Sequence, residues 1–189
     1  MAYIGNKPAN KAVVASDLDP AVITGQTALS SEPADTDEFL ISDAGVLKRL
    51  DASLIGGGKV LQVIVGTQSA SDSTSSSSFV ATTLNAAITP SATSSKVAFF
   101  MHSTSQIAGG ITCYDLYDGS NYASGGEDRG LTAMEGNANA MRPVSFVGLL
   151  SPSTTSATTY TVHFKSSSGT STFGRTDTLS SLILMEIGA

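Results

Sequence analysis

The chain reads as an all-β protein, an extended N-terminal arm with a β-hairpin followed by an antiparallel β-sandwich of jelly-roll type. Three observations predict this. Strand-like runs recur between Gly, Pro and Ser punctuation, no segment carries a convincing amphipathic helical period, and one stretch, Thr159 to Lys165, alternates cleanly between apolar and polar residues. Its 189 residues include 18 Gly, no Trp, 2 His and 1 Cys. One Cys makes no internal disulfide, and so few Cys and His do not fill a structural zinc shell. The net charge of −6 opposes binding to nucleic acid or to an anionic membrane, both of which need clustered Lys and Arg. No apolar run reaches the ~20 residues of a membrane span, and Met1–Pro8 lacks the pattern of a secretory signal.

The charge is unevenly spread. Residues 1–55 carry four cations against eight anions, and the longer remainder carries six against eight. The first 30 residues show no sustained period and too little apolar surface for a core, so they read as an arm that orders on another surface. Phe39-Leu40-Ile41 and Val46-Leu47 then flank turn residues Ser42-Asp43-Ala44-Gly45, predicting a hairpin of Glu38–Ser42 against Val46–Leu50 that needs a neighbour to be stable. Gly56-Gly57-Gly58 reads as a linker, so the expected division is 1–55, 56–58 and 59–189.

Beyond the linker, the β-branched run Val60–Val65 predicts a strand buried on both faces. Ser69–Ser78 reads as a loop, and Phe79–Ile88 as a strand stopped by Thr89-Pro90. Lys96–His102 carries Val97, Phe99 and Met101 on one face and Ala98 and Phe100 on the other, again predicting cover on both sides. Ile111–Tyr117 is a strand ended by Asp118-Gly119-Ser120-Asn121. Residues 123–141 read as the longest loop, Val144–Leu150 as a strand. Tyr160, Val162 and Phe164 point inward from the alternating strand. Leu182–Ile187 is a terminal strand pinned in the core. Six or seven strands are expected.

Asn6-Lys7-Pro8-Ala9, Asp17-Leu18-Asp19-Pro20, Ile23–Leu29, Pro33–Asp43 and Leu47-Lys48-Arg49 together resemble the N-terminal module of tail-fibre and related virion proteins of tailed bacteriophages, especially marine ones. Arg142-Pro143-Val144, Ser151–Tyr160 and Leu184–Ile187 look like the C-terminal β-domain that often follows it. The resemblance implies a non-enzymatic virion component assembled in the host cytoplasm, a homotrimer bound to other virion proteins. Asp17, Asp19, Phe39, Leu40, Ile41, Leu47, Lys48 and Arg49 would make the attachment. The alternative is a capsid decoration, cement or head-fibre protein.

Candidate chemistry is sparse. Gly56-Gly57-Gly58-Lys59 lacks the spacing and following Ser/Thr of a phosphate-binding loop. Cys113 with His102 or His163 reads as packing rather than a nucleophile and base, so no catalytic residue and no cofactor is expected. Asp115, Asp118, Glu127 and Asp128 match no calcium loop and read as a solvated face, and Asp115 with Glu127 is a weak glycosidase pair. Tyr117, Asn121, Tyr122 and Arg129, with Asn137, Asn139 and Arg142 beyond them, are the candidate loop residues for contact with a host glycan or protein.

Overall fold

A computed structural model describes residues 24, 25, 27, 33–34, 36–55, 60–107, 109–136 and 140–188. The chain divides between Ile55 and Gly56 into two units. Most of the N-terminal arm, Asp17 and Asp19 included, and the glycine triplet lie outside the described residues.

In the first unit β1 (Glu38–Asp43) pairs antiparallel with β2 (Val46–Asp51). The two-residue turn has φ of 49° at Ala44 and 81° at Gly45, both left-handed, and this mirror-image turn matches the twist of the flanking strands. Arg49 Nε reaches Glu38 Oε1 at 2.9 Å, and Lys48 pairs with Asp43. Phe39 and Ile41 share one face with Leu50, and Leu40 lies on the other, 72% exposed. Two faces, each with apolar residues, cannot both find cover within a two-stranded ribbon.

The described residues of the second unit form a sandwich of ten strands: β3 (Val60–Gln68), β4 (Asp72–Thr74), β5 (Val80–Ile88), β6 (Lys96–Ile107), β7 (Ile111–Tyr117), β8 (Thr132–Glu135), β9 (Ala140–Leu150), β10 (Thr158–Ser166), β11 (Ser171–Phe173) and β12 (Ser180–Ile187). Their pairing is nested. The first strand pairs with the last, β3 with β12, then β4 with β11, β5 with β10, β6 with β9 and β7 with β8, all antiparallel. The unit is thus one long hairpin folded over on itself, the topology of a jelly roll. One sheet carries β3-β12-β6-β9 with β11 and β4 continuing beside the far end of β6, and the other carries β5-β10-β7-β8.

Alternation along each strand builds the core between the sheets. Leu84, Ala86 and Ile88 of β5, Tyr160, Val162 and Phe164 of β10, and Tyr114 and Leu116 of β7 face Val97, Phe99 and Met101 of β6, Leu182 and Leu184 of β12, and Val144 and Phe146 of β9. Gly148 stands opposite Phe99 on the neighbouring strand, where an added Cβ would lie 2.5 Å from the ring. One end of the interior is polar. Tyr114 donates from its hydroxyl to Ser105 Oγ at 2.5 Å, Ser105 donates to Thr172 O, and Thr112, Ser171 and Ser166 form a second hydroxyl chain. Burial pushes the Tyr114 hydroxyl up to about 12, so it stays a donor.

Two fastenings close the edge where β3 meets β5. Gly66 lies so near β5 that a Cβ would sit 1.9 Å from Asn85 O. Glu186, fully buried at the end of β12, accepts Gln62 Nε2 from β3 at 2.6 Å, and Ser91 N and Oγ from the β5–β6 connection at 2.7 and 2.6 Å. Burial alone would raise the Glu186 carboxyl, but these donors outweigh it and hold it at about 2. The Ser95 hydroxyl adds to the field around the carboxylate without hydrogen-bonding geometry.

The all-β antiparallel sandwich agrees with the sequence, but ten strands stand among its described residues where six or seven were expected, and several readings change. Among the described residues Val60–Val65 and Lys96–His102 are covered on one face, while Val63, Val65 and Phe100 stay exposed on the other. The supposed loop at 123–141 contains β8 and the start of β9, and the supposed loop at Ser69–Ser78 contains β4. The short β11 carries little apolar pattern, being held largely by pairing. Asp72 accepts Thr83 N at 2.8 Å, tying β4 to β5.

Gly66→Ala is expected to cost about 1–3 kcal/mol, the range for overpacking a close backbone approach, measured by chemical denaturation. Glu186→Gln is expected to cost about 2 kcal/mol at pH 7, as for hydrogen bonds to a charged group. Because the folded value near 2 lies below the ordinary 4.5, this contribution is complete above about pH 4.5. It is lost as pH falls toward 2, so the stability curves of wild type and Glu186→Gln should converge in acid.

Candidate functional site

Strand β7 pairs along one edge with β10, but β8 covers only Ile111–Tyr114 of its other edge. The chain from 118 to 131 serves the rest. Asp118 Oδ1 accepts Ser120 N at 2.8 Å and Asn121 N at 2.6 Å, a local turn that Gly119 completes with a φ of 95°. Tyr122 then pairs back with Tyr117, and Ala123 N donates to Leu116 O at 2.8 Å. The chain returns at Gly130, whose φ of 65° and closeness to Tyr114 O leave no room for a side chain. Leu131 N donates to Tyr114 O at 2.9 Å.

Asp115 anchors this loop. Its fully buried carboxylate accepts Leu116 N at 2.8 Å, Ser124 N at 3.2 Å and the Ser124 hydroxyl at 2.5 Å. The sequence placed Asp115 on a solvated acidic face, but β7 points it beneath the loop, where only donors make burial of the charge tolerable. Asp118 is half-buried, and Glu127 and Asp128 are exposed. Among the described residues no group of His, Cys, Asp or Glu is arranged to hold a metal ion.

Over this anchor lies an aromatic shelf. Tyr117 stacks obliquely on Tyr122 and on His163, each with ring centroids 4.8 Å apart, and Phe79 lies 5.1 Å from Tyr122. The Tyr117 hydroxyl donates to Gly119 O at 2.9 Å, and the Tyr122 hydroxyl lies 3.1 Å from His163 Nδ1. Burial lowers the His163 value, with Asp115 acting in the opposite direction, so the imidazole is neutral at pH 7. Burial raises the Tyr122 hydroxyl. Two residues along β10, Lys165 Nζ sits 4.9 Å from the Phe79 centroid and 2.6 Å from Asp128 Oδ1. Rings held this way present a rigid, partly exposed apolar surface edged with polar groups.

Two of the clefts take part of their lining from the 118–131 loop. One, of about 250 Å³, is lined by Leu116, Asp118, Asn121, Tyr122, Pro152 and Tyr160 among others. The second, of about 260 Å³, is lined by Ser77, Cys113, Asp128, Arg129, Lys165 and Ser167 among others. Cys113 is buried, and burial pushes its thiol up, against Lys165, which leaves it a poor nucleophile. His102 lies on β6 in the other sheet, and His163 stands opposite Asp115, not Cys113.

Of the four loop residues singled out from sequence, Tyr117, Asn121 and Tyr122 come together, whereas Arg129 lines the second cleft. Arg142 is on β9 in the other sheet, and residues 137–139 lie outside the described residues. Phe79, His163 and Lys165 were missed as site residues. The outward alternation of β10 marked the last two, but nothing local announced that β5 would bring Phe79 beside them. Of the attachment residues, Phe39, Leu40, Ile41, Leu47, Lys48 and Arg49 are in the hairpin.

No protein-family model matches the chain, and no curated protein does. Among solved structures, a chain from the structure of infectious bursal disease virus, Gx strain, overlaps with a TM-score of 0.35 at 12% identity, covering 77% of this chain and 42% of that one. The chain therefore spans under half of that protein's length, and an overlap this loose transfers no role.

Asp115→Ala should unfasten the 118–131 loop while β7 stays paired with β10. The expected outcome is a loss of about 1–3 kcal/mol, from the donors left unpaired. Limited proteolysis should cut first between residues 118 and 131 in the variant and not in the wild type.

Proposed function

We propose that the protein is a non-enzymatic structural component of a bacteriophage virion, a short tail-fibre or spike subunit. Residues 1–55 attach it to the particle, and the sandwich presents the Tyr117–Tyr122 shelf to the host surface. The resemblance of residues 6–49 to tail-fibre N-terminal modules motivates the virion role. What supports recognition is the shelf itself: rings locked by His163, Gly119 and the Asp115-anchored loop, beside a cleft edged by Asp118 and Asn121. Flat aromatic faces with adjacent carboxylate and amide groups suit a sugar, whose C–H faces stack and whose hydroxyls need paired donors and acceptors. A glycan is accordingly the favoured ligand class.

Removing residues 1–55 is expected to reduce incorporation into particles at least tenfold while leaving the sandwich folded, read by quantitative mass spectrometry of purified virions. In particles that do assemble, Tyr122→Ala with Asn121→Ala should lower adsorption to host cells without changing copy number. Normal adsorption with a few hundred copies per particle would instead fit a capsid decoration protein.

A further inference from the structure

We propose that the outer face of the β3-β12-β6-β9 sheet is an interface between copies of this chain. Strand register places two apolar rows side by side across all four strands. Val65, Ile183, Phe100 and Val147 make one row, and Val63, Met185, Ala98 and Leu149 the other. Val147 is 64% exposed, Leu149 63%, Val65 55%, Val63 51% and Phe100 44%. Exposed Val60 and Leu61 extend the patch along β3 toward Ile187. A polar row, Thr67, Ser181, His102 and Ser145, bounds it at the other end.

The sandwich treats its two outer faces differently. Over the opposite sheet, β10 turns out Thr159, Thr161, His163 and Lys165, and the chain's own 118–131 loop fastens along β7. The apolar rows have no such provision among the described residues. Both Val60–Val65 and Lys96–His102 carry sequence patterns of strands covered on two sides, and among the described residues only one side is covered.

Charge and area point to a second copy as the occupant. Among the described residues, the two rows hold no acidic side chain, and Lys96, in register with Ile187 at their margin, donates to Ser151 Oγ at 2.8 Å. A chain of net charge −6 can therefore bring this face against its own kind without repulsion, whereas nothing on it would select a charged partner. Phe100 stands two residues from Ala98 on one strand, a projection beside a hollow, so a copy meeting the face in the reverse direction places ring over methyl. Four strands about 4.8 Å apart and roughly 20 Å of strand length give about 400 Å² of patch per copy. Two such patches cover about 800 Å², so the polar row and the margins around them must add roughly 400 Å² to make the roughly 1,200 Å² of a stable contact.

The test is the solution mass of the full-length protein by light scattering and sedimentation, for wild type, Val147→Glu and the milder pair Val147→Thr with Leu149→Thr. Thr159→Glu on the opposite sheet is the control. The expected result is a multi-chain mass for wild type and control, a single-chain mass for Val147→Glu with unchanged far-UV dichroism, and at least tenfold weaker association for the Thr pair. A single-chain mass for wild type overturns the proposal, assigning the cover to the chain's own arm or a foreign protein. A multi-chain mass that survives both β9 variants also overturns it.

Discussion

The five nested strand pairs of the sandwich each join segments about equally far from the middle of the unit, so the fold is closed only when the last strand is laid against the first. The Glu186 carboxylate holds that final pairing. It gathers Gln62 from β3 and Ser91 from the connection that carries the chain from one sheet to the other, so three distant segments converge on two oxygen atoms. Gln62 also donates to Thr89 O, extending the same clamp. Gly66 complements it by letting β3 and β5 approach without a side chain between them. A buried charge is tolerable only when its partners are complete, which makes this corner sensitive to losing any one of them.

The abundance of Ser and Thr follows from the same geometry. Toward the far end of β6 the sheets are lined by Ser103, Ser105, Thr112, Ser166, Ser171 and Ser180, all buried. Small hydroxyl side chains fill the narrow space there and satisfy one another, as Ser103 does with Ser180 at 2.7 Å. The aromatic residues gather where room allows, with Phe173 between Tyr114 and Phe164. Composition that looks like low-complexity surface is partly interior.

Strand type and inward residues were legible wherever the period of two was strong. Tyr160, Val162 and Phe164 face the core, and the Ala44-Gly45 hairpin turned where its glycine required. What a linear reading missed were elements specified by partners rather than pattern. Strands β4, β8 and β11 have three or four residues each and exist because a longer strand offers them an edge. The site was half legible for the same reason. Tyr117, Asn121 and Tyr122 share one turn and could be grouped from their neighbours, but Phe79 and His163 reach them only through the β5–β10–β7 register. Asp115 looked solvated because its neighbours in sequence are polar, and its burial is a property of the loop that folds back over it.

The β3–β12 pairing also sets where the unit can be joined to other matter. Val60 and Ile187 are register partners, so the backbone enters and leaves the sandwich through one point on one edge. Such a unit behaves as a cassette. It can hang from a neighbouring segment at either end, or be spliced into a surface turn of another protein, without its interior being reorganised. Pulling on both ends together would unzip β3 from β12 one ladder rung at a time, whereas pulling on the N-terminal end against a load on the loops would shear the whole ladder at once. Mechanical strength in this fold therefore depends on the direction of the load.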